Sequence, residues 1–148
     1  MATGNPLIQQ GTLNKVRASV IVPGTSSLNI TAAYMGRNFV TVSLDGDFTK
    51  LIGTGTGAVV SPEPYVEATI TVGILRTQPL ATSWRNQWES QGAIGDVSVF
   101  PDTTGFGEFD FHNCVIQHFD PNAWDGEDPV SRLMLKGIYN INASMWSF

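Results

Sequence analysis

The sequence predicts a mainly β fold, an antiparallel β-sandwich or barrel with one flanking α-helix at about residues 78–91. Three observations carry that prediction. Apolar and polar residues alternate in segment after segment, one segment alone shifts to helical spacing, and glycine and proline, 15 and 8 residues, punctuate the rest. At 148 residues the chain reads as one domain, 1–148, large enough to bury a single core.

Residues 16–22 put Val16, Ala18, Val20 and Val22 on an inward face, opposite Lys15, Arg17 and Ser19. Residues 38–45 oppose Val40, Val42 and Leu44 to Thr41, Ser43 and Asp45, and end in the turn-forming Asp45-Gly46-Asp47. An extended loop is expected over 45–64. The clearest alternation runs over 66–74, where Val66, Ala68, Ile70, Val72 and Ile74 oppose Glu67, Thr69 and Thr71. The period then changes. Pro79, Leu80, Trp84 and Trp88 suit a helix that starts near Gln78, buries one side through i, i+4, i+8 spacing, and stops at Gly92. Strands resume at 96–100, 109–119 and 130–142, the last two joined by the loop DPNAWDGEDP. Many strands, one helix and more strands give the β fold its single helical flank.

The stretch LIGTGTGAVVSPEP contains G-x-G-x-x-A at Gly53, Gly55 and Ala58, the fingerprint of a phosphate cradle. That chemistry needs a helix after the glycines, whose free amides hold the phosphate. Val59 and Val60, followed by Pro62 and Pro64, cannot begin one, because each proline removes a donor and drives its neighbour into extended geometry. Gly53, Thr54, Gly55, Thr56 and Gly57 read instead as a flexible loop or hairpin arm between strands.

Charged residues make up 14% of the chain, below the usual quarter, which points to an exterior covered by copies of itself. The net charge of −5 and eight scattered Lys and Arg argue against a grip on nucleic acid. A lone cysteine, Cys114, forms no internal disulfide. The opening MATGNPLIQQGT is read as no signal peptide, and no apolar run reaches membrane-spanning length, so a cytoplasmic origin is expected.

Chemical sites are sparse. His112, Cys114 and His118 share strand parity, a metal-ligand vocabulary, but roughly 20 Å of strand separates the two histidines. Cys114 reads as a small buried hydrophobe. Asp120, Asn122, Asp125, Glu127 and Asp128 invite a calcium reading, yet Pro121 falls where the first aspartate of such a loop belongs, which leaves a solvated turn. Asp45 and Asp47 have no placed acid–base partner, and two histidines on one strand give a catalytic triad little to build on. The expectation is a protein without catalytic residues, metal or cofactor.

The segments NPLIQQGTLNKVRASVIV, SPEPYVEATITVGILRTQPLATSWRNQWES, GDVSVFPDTT and LKGIYNINASMW follow one another in an order that resembles the tail tube proteins of contractile-tailed bacteriophages. The resemblance covers most of the chain. It implies a fold shared with type VI secretion tubes, and hexameric rings stacking helically into a hollow tube inside a contractile sheath. DNA passes through the lumen at infection, and the tape-measure protein occupies it earlier. Implied partners are other copies, the sheath protein, the baseplate or initiator, and the tail terminator, within a virion tail assembled in the host bacterial cytoplasm. On that frame the candidate lumen-lining residues are Thr41, Ser43, Asp45, Asp47, Glu67, Thr69 and Thr71. The candidate inter-subunit arm is 53–57, and Leu80, Trp84 and Trp88 pack the helix. Lys15, Arg17 and Arg76 also stand on strand faces open to the lumen, and Met145, Trp146 and Phe148 either dock on a neighbour or finish the core. The competing expectations are another β-rich virion component, in a baseplate or as a decoration protein, and a small-ligand-binding β-barrel.

Overall fold

A computed structural model describes residues 8, 10–14 and 16–146, with Asn38 by its backbone alone. Lys15 and Phe148 lie outside the described residues. The strands are β1 Ser19–Ile21, β2 Met35–Leu44, β3 Thr49–Gly53, β4 Ala58–Pro62, β5 Tyr65–Leu75, β6 Ala93–Phe100, β7 Phe109–Asp120 and β8 Val130–Asn140. One α-helix, α1 Pro79–Ser90, joins β5 to β6. Six strands form one curled, antiparallel half-barrel in the order β1-β6-β7-β8-β5-β2, and β3 and β4 form a separate hairpin. This is the mainly β fold with a flanking helix that the sequence predicts.

β5 sits inside the sheet, paired over its whole length with β8 and with β2 on its other side. Its alternation is realised without exception: Val66, Ala68, Ile70, Val72 and Ile74 are buried. Leu133 and Leu135 of β8, Val97 and Val99 of β6 and Phe111 of β7 extend the dry face. Each such side chain contributes roughly 1.5–3 kcal/mol when fully buried. The helix closes that face, with Pro79 preset for the first turn. Leu80 and Trp84 enter the core, and Trp88 stacks on Phe119 of β7 with ring centroids 4.3 Å apart. Below the helix, the short 3-10 turn Ser26–Leu28 contributes Leu28, and Asn29 secures this turn by accepting the Val22 amide at 2.8 Å.

Two expectations are corrected. The first strand begins at Ser19 and not at residue 16: Ala18, Val20 and Val22 are buried as expected, but Val16 is exposed in a turn. The second concerns β7, where Asn113 takes a left-handed φ of 51° and the register against β8 shifts between His112 and Val115. The extra residue of this bulge sends His112 to the wet face and Cys114 to the core, so their shared parity is broken.

Cys114 faces Gly137 of β8, and a Cβ on Gly137 would lie 2.5 Å from its sulfur. The glycine is there because the thiol fills its place. Burial, with Asp96 nearby, raises the thiol from 9.0 to about 11. The folded state therefore holds this proton more tightly than the unfolded state, and its contribution to stability is complete below about pH 9 and fades as the pH rises towards 11. Gly137→Ala is expected to lower stability by about 1–3 kcal/mol in denaturant titration, and Cys114→Ala in the same chain to recover most of the loss. Equal destabilisation with and without the thiol would contradict this packing.

Candidate functional site

The face of the half-barrel opposite the helix is uncovered and polar. Pairing of β2 with β5 sets Thr41 beside Thr71 and Ser43 beside Thr69. The Asp45 amide donates to Glu67 O at 2.8 Å, which continues the pairing past the end of β2. The Asp45 carboxylate accepts from Thr69 Oγ1 at 3.1 Å and from Ser43 Oγ at 3.4 Å. Five of the predicted residues, Thr41, Ser43, Thr69, Thr71 and Glu67, thus share one wet surface, with Asp45 at its margin. Asp47 lies beyond β2 and joins Asp45 and Glu67 around a shallow concavity of about 480 Å³ at the root of the hairpin.

The sequence reading missed half of this surface. Lys136 of β8 stands opposite Thr69 and places Nζ 3.3 Å from Glu67 and 4.0 Å from Asp45. Such a partly exposed pair is worth about 1 kcal/mol at most, so its effect is to set local charge more than stability. Farther across, Asp110 accepts from Ser98 at 2.8 Å, and His112 meets Asp96 at 3.3 Å. Arg132 stands opposite Asp120 in the strand register. Parity alone would have put Lys136 on a polar face; its partners emerge only with the register.

Two of the predicted cations point elsewhere. Arg17 lies in a turn and donates to Pro101 O at 3.1 Å. Arg76, just past β5, donates to the carbonyls of Pro121, Ala123 and Asp128 and so organises the whole β7–β8 loop. The acidic side chains of that loop hold backbone amides: Asp120 takes Asn122 N, Asp125 takes Glu127 N and Asp128 N, and Asp128 takes Val130 N. The amide of Glu127, then that of Asp128, keeps the Asp125 carboxyl below the ordinary carboxylate range. Among the described residues no group of three His, Cys, Asp or Glu side chains is disposed to hold a metal ion.

Residues 53–57 form the tip of the β3–β4 hairpin, closed by Thr54 N to Gly57 O at 2.8 Å and by Gly57 N to Thr54 Oγ1 at 3.1 Å. Every residue from 46 to 60 is exposed. Register sets Ile52 beside Val59 on one face and Leu51 beside Val60 on the other, so the arm is apolar on both sides. Its root is clamped. Glu63 N donates to Phe48 O, and the Asn142 amide donates to Phe48 O at 3.0 Å and to Glu63 O at 2.9 Å. Asn142 itself has a φ of 53°, which glycine also tolerates. Asn142→Gly therefore removes the clamp while keeping the backbone, and amide exchange across β3 and β4 is expected to accelerate with global stability reduced by about 1–2 kcal/mol. Unchanged exchange in the arm would show that its root is held by other means.

Among the described residues no helix is long and apolar enough to cross a membrane. No family model and no curated protein matches the chain. Among solved structures the chain is similar to the cap of the anti-feeding prophage, described as its tube terminating cap, with a TM-score of 0.47, 14% identity and 95% of each chain covered.

Proposed function

We infer that this chain is a structural subunit of a phage-type tail, forming hexameric rings that stack helically into the hollow inner tube through which DNA is delivered. The arm is the observation that supports this most. A two-stranded hairpin is marginal in water, and one that is apolar on both faces is stabilised by being inserted between other chains. Its glycines agree with insertion. Gly53, Gly55 and Gly57 have no left-handed φ and no atom within 4 Å of an added Cβ, so nothing inside the subunit requires them. Close approach of another backbone would.

The sheet supports the same assembly. β2 is an edge strand of ten residues with no strand on its outer side among the described residues, and a half-barrel with an open edge can close only by pairing with a neighbour. Repeated head to tail, that pairing gives a ring. The uncovered face would then line the lumen, with Asp45, Glu67, Asp96, Asp110 and Asp120 against Arg37, Arg132 and Lys136, an acidic balance that repels DNA slightly. Its partners would be the sheath, the baseplate or initiator, the terminator and the tape-measure protein, in a virion tail assembled in the bacterial cytoplasm. No substrate is turned over in this role.

Electron microscopy and sedimentation of the purified protein over a concentration series test it directly. Rings or hollow tubes with six-fold averages are expected, and a monomer at every concentration, with or without an initiating complex, would sink the reading. Rings that never stack would favour a different tail component. Replacing Gly53, Gly55 and Gly57 together by alanine is expected to leave thermal stability equal or slightly higher while raising the concentration needed for polymerisation by about tenfold. Normal assembly of that variant would remove the arm from the interface.

A further inference from the structure

We propose that the hairpin arm of one subunit docks into the groove between α1 and the β7–β8 loop of another copy. The proposal rests on the tube reading and adds the receptor for the arm. The groove, about 380 Å³, is lined by Ala81, Arg85, Trp88, Phe119 and Trp124, and Trp124 is 79% exposed. An indole so placed beside a second indole and a phenyl ring is unusual for a surface loop unless it is covered. The arm supplies matching apolar side chains, above all Leu51, which is 74% exposed.

Charge selects the pairing. Residues 48–62 of the arm carry a single charged side chain, Lys50, which has no ion-pair partner among the described residues. The loop over 121–129 carries Asp125, Glu127 and Asp128 and no cation. The nearby guanidinium groups are engaged, Arg76 on three backbone carbonyls and Arg85 on Glu89 at 3.0 Å. A lone ammonium on an apolar arm therefore meets carboxylates at the rim of an apolar groove.

Distance makes the contact intermolecular. The arm leaves β5 at Tyr65 and the groove begins at Arg76, past the other end of that eleven-residue strand, about 35 Å away by the rise of an antiparallel strand. The five-residue strands of the arm span about 17 Å, too short to fold back on their own groove. Donor and receptor at opposite ends of one domain define a heterologous contact, the kind that propagates as a helical stack.

The test uses full-length chains with Cys114→Ser, one carrying Leu51→Cys and the other Trp124→Cys, mixed, assembled and oxidised. Disulfide-linked heterodimers on a non-reducing gel are expected only from the mixture. In parallel, Lys50→Glu and Glu127→Lys should each raise the polymerisation concentration about tenfold, and the double variant should return it to near the starting value. Both substitutions are on exposed side chains, so circular dichroism should be unchanged. Polymers that form normally without cross-links, and without rescue by the charge swap, overturn the groove as receptor and leave the tube reading standing. A wild-type chain that never polymerises overturns both.

Discussion

The strict alternation of β5 is the constraint on which the molecule depends. It pairs with β8 along eleven positions and with β2 on the other side, and none of its residues is out of phase. A slip of one residue would turn Ile70, Val72 and Ile74 to water and Glu67, Thr69 and Thr71 into the core, so the register is held by the cost of desolvating three polar side chains at once. Because β5 divides the sheet into a dry and a wet face, the helix has one place to pack and the other face has no cover. Because arm and helix leave β5 from opposite ends, the two exposed apolar features of the subunit are also kept apart. Fold, open face and candidate contacts all descend from one strand.

What local pattern encodes, the sequence shows. The dry face of β5 and the span of α1 could be read within a residue or two, because period two and period 3.6 need no partner to be recognised. What depends on a partner could not. The bulge at Asn113 inserts one residue into β7 and reverses the side on which Cys114 falls, yet nothing in Phe111-His112-Asn113-Cys114 distinguishes it from a regular strand. Arg76, Lys136 and Asn142 act on groups that are remote in sequence, so their roles appear only once the strands are in register. The hairpin was legible as an arm but not as two strands: Leu51-Ile52 and Val59-Val60 are apolar doublets, which break alternation because both faces of the arm are apolar.

If the wet face lines a conduit, its cations need not hold a polyanion. Affinity for DNA grows with each phosphate that a free ammonium or guanidinium neutralises, through the counterions released. Lys136 is not free in that sense, since Glu67 and Asp45 already stand against it, and binding a phosphate would expose two carboxylates to the same polyanion. Arg132 stands opposite Asp120 in the strand register, so a carboxylate flanks this cation too. Hydroxyls of Thr41, Ser43, Thr69 and Thr71 remain, able to hydrogen-bond water or a passing phosphate but not to displace its counterions. In the proposed tube, repeating this pattern around a ring gives a wall on which carboxylates outnumber cations, so that no ring offers the strand a strong reason to stop.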